Sequence, residues 1–319
     1  MKTMTDLSVI VPVYGVEAYV GRCAESLLGQ TLAPERVEYI FVDDCSPDGS
    51  VPELRKVIGR HPERQCRILR HEVNRGLPAA RNTGLAAATG TYVYHCDSDD
   101  RLEPQMLEKL LDAALAKDAD IVWCDFFLEG SGSRRRMAAR DYRTADDLLR
   151  RGYLAGDMKY NVWNKLVRRS LYDGVSFPEG HSMGEDMTMI PLAAKASKVA
   201  YVPEALYNYN VANAGAMSHS FSEAQIADID FNTARVAASL GGDYAADLQL
   251  FKLNVKLPLL LTGRREDFDR WRGWFPEAYE AVWRNRELPL RTKLLQHMAS
   301  KGCWQYVRMY ASLIKRIAR

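Results

Sequence analysis

No two of the six cysteines, Cys23, Cys45, Cys66, Cys96, Cys124 and Cys303, have C-x-x-C spacing, and most of them lie in apolar runs. They read as reduced core residues of a cytosolic protein rather than a disulfide frame or a zinc site. Long apolar runs are missing too. Leu7 to Val13 is too brief for a signal-peptide core, and the best late candidate for a span, Leu257 to Leu261, contains Pro258. A membrane-crossing helix needs about 20 such residues, so any membrane association is expected to be peripheral. Nor is there an excess of charge: 43 Lys and Arg face 41 Asp and Glu, a formal net charge of +2, and no global field argues for nucleic acid. The balance fails only from Leu290 to Arg319, where seven Lys or Arg stand without an acid. No G-x-G-x-x-G follows the first apolar run and no G-x-x-x-x-G-K-[ST] occurs anywhere, which excludes a dinucleotide fingerprint and a P-loop.

What is present is an ordinary globular composition, 47% hydrophobic and 26% charged over 319 residues, long enough for a full core. Leu7 to Tyr14 reads as a buried strand that Pro12 makes leave its sheet. Val16 to Gly29 carries a helical stripe of Tyr19, Val20, Cys23, Leu27 and Leu28. Val37 to Val42 is a second strand, opening into the acidic loop Asp43 to Ser50 and a helix to about Ile58. A short strand at Arg67 to Leu69, an Ala-rich helix from Ala79 to Ala88, a strand at Gly90 to Tyr94, a helix at Met106 to Leu115 and a strand at Ala119 to Phe127 follow. This alternation predicts βαβ units with a parallel sheet and right-handed crossovers. Gly130 to Arg136 reads as an exposed loop, Thr144 to Leu154 as a helix, and Trp163 with Lys165 as strand-like. From about Ser222 onward the pattern is helical.

The acids gather where Tyr94-His95-Cys96 runs into Asp97-Ser98-Asp99-Asp100. They stand at a strand's C-terminal end, the edge where open α/β sheets bind ligands. Three like charges so close raise one another's pKa unless a cation or donors keep them ionised. One reading is a divalent-metal site for a phosphorylated ligand. The other is a polar turn capping the helix near Pro104, since Asp and Pro favour helix starts.

Six segments in order resemble the successive signatures of family 2 glycosyltransferases of the GT-A fold. They are Ser8-Val-Ile-Val-Pro-Val-Tyr14, Val42-Asp-Asp-Cys-Ser-Pro-Asp-Gly-Ser50, Asn74-Arg-Gly-Leu-Pro-Ala-Ala-Arg-Asn-Thr-Gly84, Asp97-Ser-Asp-Asp100, Asn161-Val-Trp-Asn-Lys-Leu-Val-Arg-Arg-Ser170 and Gly184-Glu-Asp186. Together they cover roughly residues 5 to 220, and their order is far more specific than any one motif. The resemblance implies a Rossmann-like, mostly parallel sheet flanked by helices over residues 1–221, with a nucleotide-sugar half at 1–126 and an acceptor half at 127–221. Residues 222–319 form an α-helical C-terminal region outside the motifs.

The roles it implies are these. Pro12, Val13 and Tyr14 frame the nucleobase, and Asp44 accepts a base N–H; a core-covering Tyr14 and an Asx turn at Asp43 or Asp44 are the plain alternatives. Arg81 lies against the diphosphate or the acidic loop, or is an ion-paired helix residue. Asp97 and Ser98 meet the ribose side of the donor, and Asp99 holds Mn2+ or Mg2+ that bridges the two phosphates. Trp163 stacks on a sugar face and Lys165 meets a phosphate or Asp186, unless they are a buried Trp beside a surface Lys. Asp186 is the general base of a single in-line displacement that inverts the sugar carbon, and Glu185 binds the acceptor. Asn210 stands where the family usually has Arg, and His219 reads as incidental.

The implied activity is transfer of one sugar from a nucleotide donor, expected to be a UDP-sugar, to a hydroxyl of a glycan or lipid-linked acceptor in surface polysaccharide synthesis. Alternatives are a nucleotidyltransferase, which would want a cation-rich loop after the first strand, and a non-catalytic glycan-binding scaffold. The expected setting is the cytoplasm or the inner face of the cell membrane. The last helix, with Trp304, Val307, Tyr310, Ala311, Ile314 and Ile317 on one face and Lys301, Arg308, Lys315 and Arg319 on others, is either a membrane-surface helix or one docked on the protein.

Overall fold

The computed structural model describes residues 5–130, 132–181, 183–211 and 222–317; the side chains of Glu185 and of 315–317 fall outside that description, as does His219 altogether. The chain divides into two compact units, residues 1–145 with 160–228, and 146–159 with 229–319. Residues 146–159, early in sequence order, thus pack with the C-terminal helices.

The first unit is built on one sheet. Strand β1 (Leu7–Val13) is buried along its whole length, as an apolar run covered on both faces must be. On one side it pairs in parallel with β2 (Val37–Asp43), from Leu7 opposite Val37 to Val13 opposite Asp43, and β2 pairs with β3 (Gln65–Arg70). On the other side lies β4 (Tyr92–His95), also parallel, from Leu7 opposite Tyr92 to Ile10 opposite His95. Between these strands run α1 (Glu17–Leu28), α2 (Ser50–Ile58) and α3 (Leu77–Ala87).

Pro12 does not end β1. The Ile10 carbonyl accepts from Cys96 N on the β4 side, whereas the Val13 carbonyl accepts from Asp44 N on the β2 side. Carbonyls alternate along a strand, so the missing N–H of Pro12 faces β4 just where β4 has stopped, and no ladder bond is lost.

The remaining strands are β5 (Arg101–Leu102), β6 (Ile121–Gly130), β7 (Ser133–Met137), β8 (Lys165–Arg168) and β9 (Val199–Asn210), with α4 (Met106–Lys117) after β5. The spatial order is β3-β2-β1-β4-β8-β6-β9-β5, with β7 on β6. The four strands from β3 to β4 are parallel as expected; β8 runs antiparallel to both β4 and β6, and β9 returns parallel to β6. The antiparallel turn of the sheet begins with a hairpin, where the sequence suggested an exposed loop at Gly130 to Arg136. Here β7 pairs with β6, because alternate arginines find partners: the Arg134 guanidinium lies 3.6 Å from the Phe127 ring centre, and Arg136 Nε donates to buried Asp125 at 3.0 Å.

Helix α3 seats directly on β1. A Cβ on Gly84 would come 2.3 Å from Ile10 Cγ2, so only glycine permits this approach.

The first unit also holds α6 (Met189–Lys195); the second contains nearly all of α5 (Ala145–Asp147 continuing as wider turns through Leu148–Leu154), most of α7 (Glu223–Ser239), α8 (Ala245–Leu261), α9 (Arg265–Gly273), α10 (Leu290–Ser300) and α11 (Trp304–Ile317). Its centre is α8, which buries Phe251, Leu253, Leu259 and Leu260. Fully buried Lys256 donates to the carbonyls of Trp271, Trp274 and Phe275 and lies 4.3 and 4.4 Å from the ring centres of Trp271 and Tyr279. The apolar side of α11 turns inward, with Val307 and Ala311 buried and the Trp304 ring 5.3 Å from Phe268. Trp304, Tyr310 and Ile314 on the same side are half-buried, so the inner part of the face expected to meet a membrane packs within its own unit.

Candidate active site

Since β1, β2 and β4 are parallel neighbours, their C-terminal ends lie on one edge. The chain winds from β1 to β2 on one side and reaches β4 on the other, so a crevice opens beside β1, where such sheets bind ligands. Three loops meet there: Tyr14-Gly15, Asp43 to Asp48, and Asp97 to Asp100. Tyr14 is 50% exposed and therefore does not serve as a lid on the core; Pro12 and Val13 beneath it are buried.

The two acids after β2 divide their work. Asp43 makes the Asx turn, accepting from Ser46 N at 2.8 Å. Asp44, almost fully buried, accepts from His71 Nδ1 at 2.6 Å, Arg75 N at 2.8 Å and Gly76 N at 2.7 Å. The acceptor-only carboxylate assigns the proton to Nδ1 of His71, leaving Nε2 to accept from the Thr83 hydroxyl at 2.8 Å. Three donors fix Asp44 and fill three of roughly four lone-pair positions on its two oxygens.

Arg81 is the centre of the site. Packing of α3 on the sheet leaves its side chain 2% exposed. One Nη donates to Asp97 Oδ1 at 3.1 Å and the other to Asp186 Oδ1 at 2.8 Å, and the guanidinium carbon lies 5.3 Å from the Phe177 ring centre. Burial pushes the Asp97 carboxyl up to about 6; Asp186 and Asp99 add to the rise while Arg81 opposes it. Next on the same helix, Asn82 exchanges hydrogen bonds with the Phe177 backbone, donating to O at 2.8 Å and accepting from N at 2.9 Å. Arg75 pairs with Glu179 at 2.8 Å. Helix α3 and the loop before it thus hold the segment that leads to Gly184, whose φ of +77° turns the chain into the short helix Glu185–Thr188 bearing Asp186.

Ser98 is buried and Asp99 partly so. Asp100 is a strut: it accepts from the Tyr207 hydroxyl at 2.6 Å and from Asn210 N at 2.7 Å, and burial beside Asp97 and Asp99 pushes it well above the usual carboxylate range. Asn210, where the resemblance led one to look for Arg, therefore anchors the acidic loop through its backbone.

Trp163 and Lys165 are corrections. The Trp163 ring is 6% exposed, stacked against Tyr207 and Tyr209 at 4.5 and 5.2 Å and met edge-on by Phe126 at 4.8 Å. It has no free face for a sugar. Lys165 is buried as well, and its ammonium is held by the Asn161 carbonyl at 2.6 Å and Asn164 Oδ1 at 2.8 Å rather than by Asp186. Burial lowers it to about 7, the Asp186 charge acting the other way.

Two further residues carry weight that the sequence did not signal. His71 orients Asp44, and His95 sits under the acidic loop between Tyr172 and Phe177, where burial and the Arg81 charge hold it neutral.

Residues 8–189 match the family model described as Glycosyl transferase family 2. The uncharacterized glycosyltransferase EpsJ of Bacillus subtilis is 30% identical over 80% of this chain and 77% of its own length. The minor teichoic acid biosynthesis protein GgaB of the same organism is 27% identical over 69% of this chain but only 24% of its own. Among solved structures, Staphylococcus aureus TarS in complex with UDP-GlcNAc superposes with a TM-score of 0.71 at 20% identity, covering 98% of this chain and 92% of that one, a likeness of fold. With the family model matching more than half of the chain, the protein is a glycosyltransferase and belongs to glycosyl transferase family 2.

Proposed function

We propose that the enzyme transfers a sugar, with inversion, from a UDP-sugar to a hydroxyl of a glycan or lipid-linked acceptor in surface polysaccharide synthesis, working in the cytoplasm or at the inner face of the cell membrane. The observation that carries the reading is Arg81, one buried cation touching both the acidic loop at Asp97 and the acid Asp186. The UDP choice is supported by the nucleotide seen in TarS, and the polysaccharide context by GgaB.

In this reading exposed Tyr14 covers the base, Pro12 and Val13 form its floor, and the remaining acceptor position of Asp44 takes a base N–H. Asp97 and Ser98 face the ribose. Arg81 counters the diphosphate charge, and its move toward the phosphates frees Asp186 to accept the acceptor's hydroxyl proton as that oxygen attacks opposite the leaving group. Glu185 takes a second acceptor hydroxyl.

Asp99 would hold a divalent cation. The donor set is carboxylate oxygen, and among the described residues no three acidic, histidine or cysteine side chains converge into a complete cage. That suits Mn2+ or Mg2+, which use one or two carboxylates and take the rest of their shell from phosphates and water. When bound, the cation neutralises charge on the departing nucleoside diphosphate.

Calorimetry with UDP, GDP and their sugars, with and without Mn2+, on wild type and Asp99→Ala tests this. Mn2+-dependent binding of uridine nucleotides that the variant loses is expected. Tight binding of GDP alone, or unchanged Mn2+-dependent binding in Asp99→Ala, would refute the donor or the metal assignment.

A further inference from the structure

We infer that one face of α10, together with Trp283, is a docking surface for an anionic lipid bilayer. The inference rests on the helical unit alone and stands whatever the donor is. At 3.6 residues per turn, Leu290, Leu294, His297 and Lys301 fall within an arc of about 60°, opposite the buried trio Leu295, Gln296 and Ala299. Leu290 is 62% and Leu294 37% exposed. Trp283, 48% exposed, lies beside the same arc: its Nε1 donates to His297 Nδ1 at 3.3 Å and the two rings are 5.4 Å apart. An indole and two leucines open to solvent on one face are what an interfacial helix inserts beneath lipid headgroups.

The cations around them supply the second half of the argument. Arg284, Arg286, Arg291 and Lys301 are exposed and Lys293 partly so. Among the described residues none of the five forms an ion pair. Elsewhere in the chain many surface arginines are neutralised, Arg60 by Glu25, Arg168 by Asp118 and Arg151 by Glu287. That last pair also occupies one of the two acids nearest the patch in sequence, leaving exposed Glu280 as the other. Five uncompensated positive charges around an exposed apolar stripe complement a negatively charged membrane surface, where each Lys or Arg adds roughly a fivefold gain in binding at low salt. The stripe differs from the α11 face, where Val307 and Ala311 are buried and Trp304, Tyr310 and Ile314 half-buried; among the described side chains of α11 the exposed large apolar ones are Met309 and Leu313, on its outer side.

The test is co-sedimentation of the full chain with vesicles of phosphatidylcholine alone or phosphatidylcholine mixed with phosphatidylglycerol. Binding to the mixed vesicles only, weakened by salt, is expected. Leu290→Ser with Leu294→Ser should abolish it, and Arg291→Gln with Lys293→Gln should weaken it at least tenfold. All four positions reach solvent, and an unchanged melting temperature will show that the variants fold. Equal binding to both vesicle types, no binding to either, or loss on Met309→Ser with Leu313→Ser but not on the α10 changes would overturn the assignment. So would a concentration-dependent dimer dissolved by the leucine changes without any vesicle binding, which would make the face a contact between copies of the chain.

Discussion

Arg81 and Asp186 lie 105 residues apart in the chain, and an Arg81 Nη donates to Asp186 Oδ1 at 2.8 Å while the other Nη reaches Asp97. One planar cation thus gauges the distance between two acids which, in the proposed mechanism, serve the donor and the acceptor. Lysine, a compact charge without the planar fork, does not hold the two acids in the same geometry. Arg81→Lys is expected to keep the fold and lower kcat/KM by about 100-fold, as misplacement of catalytic groups by an ångström does. Arg81→Met should in addition cost about 3 kcal/mol in urea unfolding, because two carboxylates lose their buried partner.

The Asp97 carboxyl, raised from its ordinary 3.8 to about 6, gives two opposed pH dependences. Donor contact needs the ionised form, so donor affinity should fall as pH drops through 6. For stability the sign is reversed: between 3.8 and 6 the folded chain keeps a proton that the unfolded chain has released, so this group's contribution declines as pH rises through that window. Titration of Asp97 by NMR, paired with donor binding from pH 5 to pH 8 (a range of about three units around the midpoint), should show both trends. Asp186→Asn should lower the Asp97 midpoint by removing a like charge, and Arg81→Met should raise it.

Asp186→Asn should leave uridine nucleotide binding near the wild-type value and reduce transfer by about 100- to 10,000-fold, the range attributed to a positioned general base. Full transfer activity in this variant would place the base elsewhere.

Trp163 packs as core, so its replacement should register in stability first. Trp163→Ala is expected to cost about 3–5 kcal/mol in chemical unfolding, whereas Trp163→Phe should leave the acceptor KM unchanged. A raised KM in the Phe variant without loss of stability would restore a sugar contact.

The parallel half of the sheet was legible because its central strands are near-continuous apolar runs and the loops at their C-terminal ends are marked by abrupt acids. The same signals locate Asp44, Asp97 and Asp99. What could not be read is what depends on distance along the chain. The antiparallel entry of β8 has only four residues to announce it, and Lys165, a charged residue, is buried within it because Asn161 and Asn164 receive its protons. Trp163 looked available for stacking because sequence cannot show that Tyr207 and Tyr209, some forty residues later, return on β9 to cover it. The α11 stripe was visible, but an apolar helical face reads the same whether it meets lipid or its own neighbours.

Gly84 and Ile10 give the site its clearance. Helix α3 rests on β1 with no side-chain carbon of its own at this point, against the Ile10 side chain, so the height of the helix above the sheet is set by backbone against branched methyl. Arg81 is three residues earlier on that helix, and its reach is measured from the same seat. The segment leading to Asp186 is tied to the same helix through Asn82, whereas the Asp97 loop is held by β9 through Asp100 and would not follow if the helix rose. The reach of Arg81 to Asp97 is thus set by an atom that is missing, and a single methyl at position 84 would act as a shim under the guanidinium.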